Sequence, residues 1–195
     1  MYFYQYDPRI HNIGNIGLKG SVHAELAPFF TKLIDLKAYN GRNIRQEIIN
    51  KLNPNKNKIL DLCCGIGIST SEYGIDTSVD MINKAKRHFP KKKFFVGNAE
   101  NFKSNDKFDI VTCMFAFHEM PEFAHNNIIK NSLKLAKKEI YIIDLSPEYK
   151  SSKLMQDGEP YLYEYQNSII NTMNDFKFER SDYINNHVTI WRYKL

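Results

Sequence analysis

From residue 54 onward short β-type runs alternate with amphipathic helical ones, and this alternation narrows the possible folds more than any other feature of the sequence. Strands are expected over 58–63, 73–76, 93–96, 108–115 and 139–145, each rich in Ile, Val, Phe or Tyr and bounded by polar residues. Helices are expected between them, over 78–88 with Met81, Ile82 and Ala85 inward, and over 122–136 with Ile128, Ile129, Leu133 and Leu135. Strand–helix–strand repetition of this kind builds a parallel sheet covered on both faces. A last helix is expected over 161–173. Two strands, 177–184 and 187–193, then close the chain around Asn185-Asn186, a pair that tolerates the positive φ of a tight hairpin.

The first 53 residues have a different texture. Residues 1–20 mix aromatics with Gly14, Gly17 and Gly20 and read as an arm or cover. From 21 to about 38 apolar residues recur at helical spacing (Val22, Leu26, Phe29, Phe30, Leu33, Ile34), with Pro28 predicting a kink or a restart. After the break at Tyr39-Asn40-Gly41, Ile44, Ile48, Ile49 and Leu52 mark a second helix ending before Pro54. At 195 residues the chain suits one domain, with 1–53 as a helical cover and 54–195 as the core.

Composition excludes several classes. With 43% hydrophobic and 25% charged residues the chain is neither disordered nor fibrous. No apolar run reaches the ~18 residues of a membrane span, and no signal-peptide pattern opens the chain, so no membrane partner is expected. Cys63, Cys64 and Cys113 are an odd set with two neighbours, which points to a reduced, cytoplasmic setting. The net charge of +5 concentrates at Arg87-His88 and Lys91-Lys92-Lys93, where a solvated loop is the simpler reading.

Chemistry concentrates in Ile59-Leu60-Asp61-Leu62-Cys63-Cys64-Gly65-Ile66-Gly67-Ile68-Ser69-Thr70. A buried strand runs into Gly-x-Gly, where glycine lets the backbone turn sharply against a ligand and a following helix N-terminus offers free N–H groups. Asp76 ends the next strand, placed to accept hydrogen bonds from a ribose diol. Thr70 stands where a dinucleotide site has its third glycine. Asp61 before the loop would repel a pyrophosphate, but it can orient the loop and meet an ammonium group. Asn98, within Gly97-Asn98-Ala99-Glu100, is placed to meet an adenine amino group.

These segments resemble the class I S-adenosylmethionine-dependent methyltransferases, and small-molecule members in particular. Ile59 to Gly67 looks like the family's Leu-Asp-Leu-Gly-Cys-Gly-x-Gly. Gly74-Ile75-Asp76-Thr77-Ser78-Val79-Asp80-Met81-Ile82 is similar to its second motif, and Gly97-Asn98-Ala99-Glu100 to its adenine segment. Phe108-Asp109-Ile110-Val111 with Phe115-Ala116-Phe117-His118-Glu119-Met120-Pro121 resembles the fourth-strand region. The resemblance implies a three-layer Rossmann-like α/β fold, with strand order 3-2-1-4-5-7-6 and strand 7 antiparallel. It implies S-adenosylmethionine as methyl donor and S-adenosylhomocysteine as product. The cofactor residues it suggests are Asp61, Cys63, Gly65, Gly67, Asp76, Thr77, Met81, Asn98, Ala99 and Met114, with Tyr39 and Arg42 from the segment before the loop. His23, Phe115 and Glu119 are expected at the acceptor, and His118 is the candidate general base because imidazole takes a proton near neutral pH. His118 and Glu119 have no further His at i+4, so no metal site is expected.

Two departures stand out. Cys63 replaces the first glycine, and only 15 positions separate Asp61 from Asp76, so the first helix must shrink to about a turn. A small-molecule acceptor is favoured over DNA or glutamine amino groups, because Thr112-Cys113-Met114-Phe115 occupies the place of Asp/Asn-Pro-Pro-Tyr/Phe. RNA or protein as acceptor stays open through the basic surface, as does a non-catalytic methyltransferase-fold subunit.

Overall fold

The computed structural model describes Tyr6 and residues 17–195. Strands β1 (Ile59–Leu62), β2 (Tyr73–Asp76), β3 (Lys93–Val96), β4 (Phe108–Met114), β5 (Ala136–Leu145), β6 (Glu179–Ile184) and β7 (Val188–Lys194) form one sheet. Their order is β3-β2-β1-β4-β5-β7-β6. Strands β1 to β5 pair in parallel, and β7 runs antiparallel to both β5 and β6, as expected. Asn186 turns the β6–β7 hairpin with φ of 54°.

Among the described residues six helices complete the fold: α1 (Gly17–Ala38), α2 (Ile44–Lys51), α3 (Val79–His88), α4 (Glu122–Leu135), α5 (Lys153–Gly158) and α6 (Leu162–Asp175). Side chains of a strand alternate between faces, and here both faces are apolar. Leu60, Leu62, Val111, Cys113, Ile140 and Ile142 join one core with Ile128 and Ile129 of α4 and Tyr165 and Ile169 of α6. Ile59, Ile110, Met114 and Ile143 point the other way, into a core with Ile44, Ile48 and Ile49 of α2. Farther along that face Phe94 packs on Ile82 and Ala85 of α3. Three layers result.

Local sequence explains most boundaries. Ser78 caps α3 by accepting from the Met81 N–H, and Asn43 caps α2 by accepting from Gln46. Helix α4 stops at Leu135 and β5 starts at Ala136 with no loop between, so the strand begins three residues before the expected point. Helix α5 and a 3₁₀ turn over Phe117–Glu119 were not anticipated; both are too short to show a period.

Three expectations fail. Helix α1 starts at Gly17 instead of 21, and it continues through Pro28 without a restart. Proline removes one intrahelical hydrogen bond, and packing on α3 outweighs that loss, with Lys84 and Arg87 both gripping Glu25. The helix also turns inward a face the hydrophobic pattern did not mark: Gly20, His23 and Ala24 are buried, whereas Val22, Leu26, Phe29, Phe30 and Ile34 are exposed. Finally, no helix follows the glycine loop. Residues 63–72 contain only turns and bends, because ten positions leave no room for a helix between β1 and β2.

Candidate active site

The parallel strands end together on one edge of the sheet, and a cleft of about 230 Å³ opens there. Open α/β sheets bind ligands at this edge, next to the strand order reversal between β1 and β4. The floor is the loop after β1. Cys63, Gly65 and Gly67 all take positive φ, of 55°, 51° and 81°. The resemblance called for glycine at 63, and Cys63 adopts the left-handed backbone that a glycine would hold without strain. Cys63 and Gly65 line the cleft, and a Cβ built on Gly65 meets no atom within 4 Å. Gly67 plays a different part. A Cβ there would lie 2.6 Å from the Phe94 ring and 3.3 Å from Ala85, so Gly67 packs the loop onto α3 and is not among the cleft residues.

Asp61 holds this loop from beneath. Fully buried, it accepts hydrogen bonds from Ser69 Oγ (2.8 Å), Thr70 Oγ1 (2.8 Å) and Thr112 Oγ1 (2.9 Å). Burial pushes its carboxyl up, while the three hydroxyls pull it down. The expected orienting role has its geometry here. Direct contact with an ammonium group does not, because the carboxylate lies outside the cleft.

Asp76, at the tip of β2, faces into the cleft. Its Oδ2 accepts from Gly65 N–H and its Oδ1 from Ser78 N–H, both at 2.8 Å, so each oxygen keeps a lone pair for a ligand. Burial raises its pKa to about 6, against the two backbone donors. Thr77 and Met81 line the same wall. Beyond β3, Asn98 and Ala99 line the cleft opposite Ile128. Asn98 Oδ1 accepts the Glu100 N–H at 2.8 Å, and Asn131 fixes the Ala99 carbonyl at 2.9 Å.

On the other side of the loop, Met114 and Phe115 end β4 and line the cleft, and His23, Ala27 and Thr31 reach it from α1. Arg45, which sequence reasoning missed, belongs to this group. Its guanidinium lies 4.4 Å from the Phe115 ring centroid and 3.1 Å from Asp35 Oδ1. Burial pulls its pKa below the usual arginine value, and Asp35 opposes that shift. Among the described residues it is the one guanidinium on the cleft wall.

The two residues expected in that role lie elsewhere. Arg42 precedes the cap of α2 and is exposed, doubly bonded to Glu47. Tyr39 is buried in the α2 core against His187, 5.2 Å away, with burial pushing its hydroxyl up to about 12. The signal in Gly41-Arg42-Asn43-Ile44-Arg45 was the start of a helix, which turns only the second arginine inward.

His118 is corrected as well. It is buried in the 3₁₀ turn and is not a cleft residue. Its Nδ1 sits 2.6 Å from Asp144 Oδ1, while Asp144 Oδ2 accepts the N–H groups of Phe117 (2.8 Å) and His118 (3.3 Å). Burial opposes the charge on this ring, but Asp144 outweighs it and the pKa rises to about 9. The Asp144 contact favours the protonated ring, which runs against a role as proton acceptor. Glu119 does face the cleft, with His118 Nε2 4.0 Å behind its carboxylate.

A sequence profile for methyltransferase domains matches residues 59–139. Over these residues the chain is similar to methyltransferase domains. An uncharacterized methyltransferase of Synechocystis is 32% identical over 89 residues, covering 41% of this chain and 42% of that one, so the chain matches less than half of its relative. A TehB-like S-adenosylmethionine-dependent methyltransferase from Corynebacterium glutamicum superposes with TM-score 0.61 at 15% identity, covering 88% of this chain and 97% of that one. The magnesium protoporphyrin IX methyltransferase of Synechocystis, crystallised with S-adenosylmethionine, gives 0.56 at 13% identity over 93% and 85%. These structures share the fold of this chain. Among its described residues no helix is long and apolar enough to cross a membrane.

Proposed function

We propose that the protein transfers the methyl group of S-adenosylmethionine to an O, N or S atom of a small-molecule acceptor, leaving S-adenosylhomocysteine. The carrying observation is that Asp76, Arg45 and Gly65, where a Cβ would meet no atom within 4 Å, line one cleft. A carboxylate with a free lone pair on each oxygen suits a vicinal diol, and a guanidinium suits an amino-acid carboxylate. This donor set fits the cofactor, which supplies an activated methyl group on a positively charged sulfur.

In this reading Asp76 holds the ribose hydroxyls, and Asn98 with the Ala99 backbone faces the adenine edge. Met81 and Ile128 provide apolar walls, and Arg45 holds the carboxylate. The Asp61 clamp keeps the loop in the one shape that leaves room above Gly65. Positioning and exclusion of water are the main contributions to rate. Helix α1 roofs the acceptor end with His23, Ala27 and Thr31. Where the acceptor carries a proton, Glu119 and His23 are the titratable side chains facing it, and His118 acts by holding Glu119 in position. A roofed cleft of this size supports a small acceptor over a polymer chain.

Isothermal titration with S-adenosylmethionine and S-adenosylhomocysteine tests the cofactor assignment. Saturable one-site heat is expected from both, and no heat from either would end the assignment. A methyl-transfer screen over small hydroxy, amino and thiol acceptors, with RNA and protein as competitors, tests the acceptor class. Turnover only on RNA or protein would overturn the small-molecule part, and binding without turnover on any acceptor would make the protein a binding subunit.

A further inference from the structure

Helix α1 runs for 22 residues, about 33 Å at 1.5 Å per residue, and its outward face is apolar along its length. Leu18, Val22, Leu26, Phe29, Leu33 and Leu36 succeed one another at spacings of three and four, which puts them on one stripe. Leu18 is 88% exposed, Phe29 63% and Leu36 63%, and Phe30 widens the stripe. Contiguous exposed apolar surface on the order of several hundred Å² marks a docking site on a soluble protein. The helix cannot turn this face inward. Its opposite side, with Gly20, His23 and Ala24 buried and Ala27 beside them, already packs against α3 and the cleft.

Charge identifies what covers the stripe. Exposed Lys19, Lys32 and Lys37 lie on the same helix, and none of them forms an ion pair among the described residues. The helix has only two acids, Glu25 and Asp35, and Lys84, Arg87 and Arg45 already hold them. A second copy pairing helix to helix would therefore bring together apolar stripes and unneutralised ammonium groups, with no free carboxylate to meet them. Anionic lipid headgroups meet both needs, because acyl chains take the Leu and Phe side chains while phosphates take the lysines.

We propose that α1 docks this protein on an anionic lipid surface, lying in the plane of the interface without crossing it. Among the described residues no helix is long and apolar enough to cross a membrane, so the proposed contact is with the surface alone.

Co-sedimentation of the full chain with sucrose-loaded vesicles of phosphatidylcholine and phosphatidylglycerol (mixed roughly 7:3), against pure phosphatidylcholine, is the test. Binding to the mixed vesicles only is expected, falling steeply as salt is raised from low to high. Replacing all three lysines (K19A/K32A/K37A) should weaken it on the order of 100-fold, at about fivefold per lysine. Leu26→Glu with Phe29→Glu should abolish it while leaving cofactor heat intact, because both side chains point away from the cleft. The wild-type salt dependence reads the proposal even if a variant folds poorly. No sedimentation with either vesicle would overturn the proposal, and so would equal binding to uncharged vesicles. A concentration-dependent dimer in light scattering that Phe29→Glu dissolves would assign the stripe to a second copy instead.

Discussion

Replacing Asp76 with asparagine separates the cost of building the site from its use. Above pH 6 the ionised carboxylate opposes folding: its pKa rises from 3.8 to about 6, and two units correspond to about 3 kcal/mol. A raised carboxyl favours the folded state when protonated, so this advantage is full below 3.8 and lost as pH rises through 6. Asparagine removes the charge and regains up to that amount. Against this, an amide presents one oxygen where two backbone donors need acceptors, Gly65 N–H and Ser78 N–H. One donor then faces an NH₂ group, at a cost of about 1–3 kcal/mol. The two effects nearly cancel, so the unfolding free energy at pH 7.5 should change by less than about 2 kcal/mol. Cofactor affinity has no such compensation. Hydrogen bonds from hydroxyls to a charged acceptor contribute about 1.5–3 kcal/mol each, so losing the charge should raise Kd by roughly 10²-fold or more. Urea unfolding and isothermal titration on the same sample provide both numbers. Wild-type affinity should itself weaken as pH falls below about 6, because the bound diol needs the ionised form. A D76N protein that binds S-adenosylmethionine within threefold of wild type would falsify the ribose role, and with it the orientation of the ligand in the cleft.

Further outcomes follow from the same geometry. His118→Ala should cost about 3–5 kcal/mol of stability, because it strands the buried Asp144 charge. Since the folded pKa of His118 is raised, its contribution is full below pH 6.5 and disappears as pH passes about 9, which pH-dependent urea melts will show. If the wild-type rate instead rises with an apparent pKa near 6.5 that this substitution removes, the imidazole is a base after all. Gly67→Ala should destabilise by more than about 2 kcal/mol, from its φ of 81° and the Phe94 ring 2.6 Å from the new Cβ, whereas Cys63→Gly should change stability by no more than about 1 kcal/mol. Thermal melts that rank the two the other way would contradict the division of labour within the loop. Arg45→Met should weaken S-adenosylmethionine binding by about 10- to 100-fold. The wild type should prefer the cofactor over its decarboxylated analogue and the variant should not; equal preference in both proteins would place the carboxylate elsewhere.

What the sequence reveals follows the range of the interactions. Strands β1 to β4 were legible because their signal is local: apolar runs between polar breaks, in an order that leaves few ways to wind a sheet. That Asp76 and Asn98 lie on the cleft was legible for a related reason, since the end of a parallel strand fixes where the next residue points. Residues set by distant partners were misread. His118 looked like a base until Asp144, 26 residues on, appeared against its Nδ1. Arg42 and Arg45 are equal in sequence, and the start of α2 between them decides which one reaches Phe115. The stripe on α1 was read correctly as helical, but periodicity reports that a face is apolar and not what it meets.

The shortened segment after β1 carries this one step further. A helix there would hold the glycine loop and aim backbone N–H groups at the ligand. In this protein the work is divided among side chains. Asp61 gathers Ser69, Thr70 and Thr112 beneath the loop, Asp76 holds the Gly65 N–H from beside it, and Phe94 fills the space under Gly67. Each anchor lies on a strand or is bonded to one, so the loop takes its shape from the sheet. The two departures noted in the sequence then share one physical basis: the sheet edge holds the turn where a helix would otherwise do so, and the surrounding structure sustains the left-handed backbone at Cys63, with φ of 55°.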